Sequence, residues 1–186
     1  LTINHSSNCI LRAPCRQTDT DACNRACPSY IALHGYDGAG GRIASANVPN
    51  DYRLVTLETS PVRAEQPQAY AIIDAYAATF TRQFDEEGAG RIKSLYLYSA
   101  SPGTGKTTTA VALLNAYLIA HYIGSLKRGL QPLERPAYFL DVNAWQTDFN
   151  AFNRPRVPDE IAERHAKRYY NAMEAAKAAP FAVLDD

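Results

Sequence analysis

With 186 residues the chain is long enough for one well-filled core and a small appendage. A content of 46% hydrophobic and 20% charged residues excludes disorder as the default state. The formal net charge of zero argues against a highly basic duplex-DNA binder, although it leaves room for a local basic patch.

The chain begins at Leu1 with no basic-then-apolar leader and contains no unbroken apolar run of about 18 residues. The closest approach, 111–123, is interrupted by Asn115 and His121 and reads as a helix buried in a layered domain. A cytoplasmic protein without membrane contact is expected. The chain stops at Asp185-Asp186 directly after an apolar strand, so it reads as a piece of a longer protein.

All four cysteines, Cys9, Cys15, Cys23 and Cys27, fall in the first 27 residues, separated by five, seven and three residues. So short and polar a stretch builds little core and needs either two disulfides or one metal. Four thiolates suit tetrahedral zinc, and disulfides do not persist in the reducing cytosol expected for this chain. Residues 1–35 are therefore expected to form a structural zinc-type module. His5 and His34 flank it and could replace a ligand, but read more readily as exposed surface histidines.

Residues 36–67 carry scattered Gly and Pro and read as a linker, with a short strand possible at 51–57. From 68 to 86, Tyr70, Ile73, Ala77, Phe80 and Phe84 repeat at helical spacing, and Gly88 and Gly90 close the helix. A strand is expected at 95–99. A helix at 107–123 should stop at Gly124. Further strands are expected at 137–141 and 181–184. Between them should lie a short helix capped by Asn143 and running to Phe152, then a longer one at 159–177. Alternating strands and helices imply a parallel sheet covered on both faces.

The most informative stretch is 95–108. Ser101-Pro102-Gly103-Thr104-Gly105-Lys106-Thr107-Thr108 follows a candidate strand and opens a helix. Gly103 and Gly105 let the backbone turn its N–H groups toward oxyanions, and the helix start adds unpaired donors and a positive dipole end. Lys106 would meet the β- and γ-phosphates of a nucleoside triphosphate, and Thr107 would join a magnesium shell. Ala100 stands where the full phosphate-loop pattern has Gly, so it must take a negative φ or accept strain. Ala100, Gly103, Thr104, Gly105, Lys106, Thr107 and Thr108 form the expected nucleotide site. The alternative is a chance glycine turn before an ordinary helix.

Asp185 and Asp186 end an apolar strand, where carboxylates of open α/β sheets face the ligand crevice. Asp185 is expected to hold magnesium and Asp186 to polarise the attacking water; the alternative is a surface strand end. Arg164, Lys167 and Arg168 could meet DNA phosphates, but Glu160 and Glu163 among them favour a solvated face. Trp145, Phe149 and Phe152 could stack on bases, yet aromatics at this spacing are more often core.

Ser-Pro-Gly-Thr-Gly-Lys-Thr, Tyr-Phe-Leu-Asp-Val and Val-Leu-Asp-Asp, behind a cysteine-bearing N-terminal region, resemble the DnaC/DnaI-type helicase loaders, ATPases of the AAA+ class. The resemblance covers about residues 92–186. It implies a P-loop α/β fold, incomplete at the C-terminus, with 68–186 as the N-terminal part of the ATPase domain. It also implies ATP hydrolysis with Lys106, Asp185 and Asp186 as catalytic residues, and ATP, magnesium and structural zinc as cofactors. The implied partners are a hexameric DnaB-like replicative helicase, single-stranded DNA and other copies of the chain. The family's sensor strand, arginine finger and helical lid would lie beyond Asp186, so little turnover is expected from these residues alone. An IstB-like transposition helper, a small-molecule kinase and a nucleotide-responsive scaffold are the competing readings.

Overall fold

The computed structural model describes residues 5–85 and 92–186. In chain order the α-helices are α1 (Pro28–His34), α2 (Gly41–Ser45), α3 (Pro67–Ala77), α4 (Lys106–Lys127), α5 (Val142–Phe152) and α6 (Asp159–Ala178). Short 3-10 turns cover His5–Asn8, Asn50–Tyr52 and Ala78–Phe84. Strands β1 (Ala137–Asp141) and β2 (Phe181–Asp185) pair in parallel, Ala137 with Phe181 through Asp141 with Asp185.

Helix α4 is the axis of the molecule. Val111, Ala112, Leu114 and Leu118 are fully buried, because α2, α3, the 3-10 turn that extends α3 and both strands all pack against this helix. By length and composition α4 is apolar enough to cross a membrane, but 67% of that apolar window is buried inside the protein. The same core takes Ile10 and Leu11 from the cysteine region and Leu33 from α1. Residues 36–67, expected as a linker, add Ile43, Ala46, Val48 and Leu57 to it. The helix at 68–86 starts as α3 and tightens to 3-10 geometry at Ala78. Gly88 and Gly90, expected to close it, lie outside the described residues.

The expected fold class is overturned. About half the chain is helical, and among the described residues the sheet has two strands. This is a small α-rich fold rather than a P-loop parallel sheet covered by helices. Residues 95–99, expected as the strand before the phosphate loop, form no ladder, and Leu95, Tyr96 and Tyr98 are exposed. An apolar run becomes a strand only when a neighbouring edge takes its N–H and C=O groups. The neighbour of β2 on one side is β1, whose own far edge is satisfied by Ala46 O and the Asn47 side chain at Phe139. The other side of β2 opens on a cleft of about 1350 Å³ whose far wall is 92–99.

The zinc-type module is overturned as well. Among the described residues no group of three or more His, Cys, Asp or Glu side chains could hold a metal ion. Cys9, Cys15, Cys23 and Cys27 are free thiols. The region is held instead by successive backbone turns and by Ile10 and Leu11 seated in the main core. His5 and His34 are buried, not exposed. His34 Nε2 accepts the Ile10 N–H at 3.2 Å and its ring stacks on Tyr30, so it ties the N-terminal turns to α1.

Three smaller differences have local causes. The possible strand at 51–57 is a 3-10 turn and loop whose Val55 carbonyl accepts from buried Asn115 of α4 at 2.8 Å. Helix α5 is capped by Asp141, whose Oδ1 accepts the Ala144 N–H at 2.8 Å; Asn143 lies inside the helix. Gly124 does not end α4. A Cβ there would sit 2.2 Å from Cε2 of Phe84, so this glycine serves ring packing within a continuing helix.

Candidate functional site: the loop before α4 and the tip of β2

The loop is shaped by two glycines in the left-handed region, Gly103 at φ 73° and Gly105 at φ 79°. Gly105 is the residue before α4, and its carbonyl accepts the Thr109 N–H at 2.9 Å. Any side chain at 105 would strike Val62, whose Cγ1 would lie 2.6 Å from the added Cβ. Gln66 Nε2 donates to Thr104 O at 2.6 Å and pins the loop from the start of α3. Behind it, a chain of hydroxyls from Ser60 through Tyr70 to Thr109 fastens the first turn of α4 to the same segment. Ala100 sits at an exposed bend without a positive φ, so the alanine brings no left-handed strain.

Lys106 is the first residue of α4 and its ammonium donates to Ser101 O at 3.4 Å. No acidic residue occupies the first turn of α4. The first N–H groups of a helix have no intrahelical partner, so this end offers donors and a positive dipole. Thr107 Oγ1 donates to Asp185 Oδ2 at 2.9 Å, with Oδ1 at 3.2 Å. Thr108 lies half-buried in the same turn.

Asp185 reaches the loop because β2 runs parallel to β1 and ends beside the start of α4. Partial burial pushes its carboxyl above the ordinary range, and the Thr107 hydroxyl opposes that shift. Repulsion from Asp141 and Asp186 raises it further, while Lys106 lowers it. Lys106, Asp185 and Asp186 all line the large cleft, Asp186 as an exposed residue.

The fold thus brings together Lys106, Thr107 and Asp185, which are 78 residues apart in the Thr107–Asp185 pair. It leaves the four cysteines elsewhere, around a pocket beside Tyr122 and Ile123 of α4. No protein-family model matches the chain, and no curated protein or solved structure matches it.

Two supports of the loop escaped the sequence reading. Val62 and Gln66 act on it from about 40 residues away and carry no local signal. Asp141 ends the strand paired with the one that Asp185 ends and adds its charge to the site.

The aromatic and basic residues of α5 and α6 form a separate assembly. Trp145 stacks on Tyr169 at 4.6 Å and donates its indole N–H to Tyr169 O. Phe149 and Phe152 pack on the same ring at tilted and edge-on angles. Arg168 bonds Asp148, as does His165 at 2.6 Å, so the two helices are locked by charge as well as by rings. Arg164 and Lys167 are exposed.

Proposed function

We propose that the chain binds and hydrolyses ATP at the 100–108 loop, and that its nucleotide state governs association with a hexameric replicative helicase on single-stranded DNA. The observation that carries the reading is the contact between Thr107 and Asp185 beside Lys106. A hydroxyl and a carboxylate at one point are hard oxygen donors, and magnesium on a nucleotide needs only one or two such protein ligands. Thr107 and Asp185 would hold that ion, which supplies charge neutralisation on the phosphates when bound.

The chain's own groups supply the rest. Gly103 and Gly105 turn backbone N–H groups toward the phosphates, and the start of α4 adds the field of its dipole. Lys106 moves its ammonium from the weak contact with Ser101 O onto the terminal phosphates. Asp186, exposed at the rim of the cleft, orients the attacking water and takes its proton. A cytoplasmic location belongs to this reading, as does self-association through the ATP-binding part.

The test is equilibrium binding of a fluorescent ATP analogue with and without magnesium, followed by phosphate release in the presence of single-stranded DNA and a hexameric helicase. Magnesium-dependent binding that Lys106→Ala removes, and release stimulated by the two partners, is the expected outcome. Binding that ignores Lys106 sinks the site. Binding without turnover leaves a nucleotide-responsive scaffold, and transfer to a small acceptor makes the protein a kinase.

A further inference from the structure

A single strand of nucleic acid is held by accessible flat rings beside unpaired cations. The far wall of the large cleft carries both. Among the described residues the backbone of 94–98 makes no hydrogen bond, yet the run is held at its two ends. Tyr76 Oη donates to Lys93 O at 2.7 Å, and Ser99 Oγ accepts the Ser101 N–H at 3.2 Å. Between these anchors the side chains alternate. Leu97 is half-buried, whereas Tyr96 is 85% and Tyr98 75% exposed. The two tyrosine rings stand side by side, with centroids 6.4 Å apart and planes 18° from parallel. Successive bases of a strand rise by about 3.4 Å. The gap is therefore close to two stacking steps, and a small swing of either ring admits one base plane. Arg82 and Lys93 line the same cleft, and among the described residues neither is in an ion pair. Asp85 lines it too, so the net charge attraction is small and the rings carry most of the affinity.

We propose that single-stranded nucleic acid lies along 93–98, with one base held between Tyr96 and Tyr98 and the flanking phosphates on Lys93 and Arg82. Every base has a π face, so such a grip tolerates any sequence. A duplex keeps its bases stacked on one another and gives the rings nothing to hold. The inference rests on the proposed function for the kind of partner and adds the place where that partner sits. Lys106, Asp185 and Asp186 line the same cleft, so strand and nucleotide are neighbours. The strand uses neither the loop nor the magnesium ligands, and it binds without nucleotide.

The test titrates the whole chain, without ATP or magnesium, into fluorescein-labelled oligomers of thymidine and, separately, of uridine at rising salt. Expected is binding whose log K falls with log salt at a slope of about −1.4, two phosphates at about 0.7 each. Lys93→Gln should cut that slope to about −0.7. Tyr96→Ala/Tyr98→Ala should weaken binding by at least about tenfold. Its urea midpoint should stay in place, since both rings are exposed. Tyr96→Phe/Tyr98→Phe should bind like the parent, because phenylalanine keeps the stacking face. Photolysis of an oligomer carrying 5-iodouracil should label the tryptic peptide Ser94–Lys106, which holds both tyrosines. Tighter binding of thymidine oligomers supports the site with DNA as its source, and tighter binding of uridine oligomers supports it with RNA. No binding at low salt, a duplex bound as tightly as a single strand, or an alanine variant that binds like the parent overturns the proposal. So does a free chain that sediments as a dimer until the tyrosines are replaced, which would give this face to a second copy. Because ATP is absent throughout, failure here leaves the nucleotide site standing, and failure of nucleotide binding leaves this site standing.

Discussion

Thr107 Oγ1 lies 2.9 Å from Asp185 Oδ2, joining the first turn of the buried helix α4 to the tip of β2 across 78 residues of chain. The contact exists because α4 and β2 pack directly on each other and β2 ends where α4 begins. It sets an acidic oxygen beside the only lysine of the loop.

Asp185→Asn separates function from stability. The folded Asp185 carboxyl is held above the usual 3.8, first by burial. The folded state therefore binds this proton more tightly than the unfolded chain does. The stability this confers is complete below the unfolded value and is lost as pH rises through the folded one. Asparagine cannot ionise, so urea titrations should show the variant gaining on the parent as pH rises above about 3.8. At neutral pH the variant should be at least as stable, while magnesium-dependent nucleotide binding falls.

Lys106→Ala should weaken ATP-analogue binding by at least about tenfold, roughly 1.4 kcal/mol. The lysine makes only a 3.4 Å contact to Ser101 O, so the urea midpoint should not move. Loss of binding together with unfolding would mean that the lysine is structural.

Gly124→Ala reverses the ordinary helix rule. Alanine normally stabilises a helix interior by about 1 kcal/mol over glycine. Here its methyl would lie 2.2 Å from the Phe84 ring, so the variant should lose about 1–3 kcal/mol by urea unfolding. Adding Phe84→Leu should return part of that loss, because the smaller side chain vacates the clash.

His34 makes the fold acid-sensitive. Burial, and then the charges of Arg53 and His5, lower its pKa from 6.5 to about 4. The folded state keeps the ring neutral while the unfolded chain protonates it. Stability is full above pH 6.5 and falls as pH drops toward 4, by up to about 3 kcal/mol. Urea midpoints across this range should show the decline, and His34→Gln should flatten it.

Much of the chain's local order was legible in its residues. The apolar spacing of 107–123 announced a helix covered on most sides, and the runs at 137–141 and 181–184 announced strands, because periodicity and β-branched or aromatic content act over a few residues. The loop was legible for the same reason, since Gly103, Gly105 and Lys106 need only their neighbours to form a turn and a helix start. The extent of the sheet was not. Residues 95–99 have strand-like composition, but a strand exists only by sharing hydrogen bonds with another edge, and β2 meets a cleft on that side. Nor was the role of Gly124 legible, which depends on where Phe84 comes to rest, or the burial of His5 and His34 against Tyr30. Sequence alone determined the main helices, the two paired strands and the glycine turn before α4, because those are short-range properties of the backbone. Which edges pair, which thiols share a pocket, and that Thr107 meets Asp185 were decided by the packing around α4, which couples residues no local pattern connects.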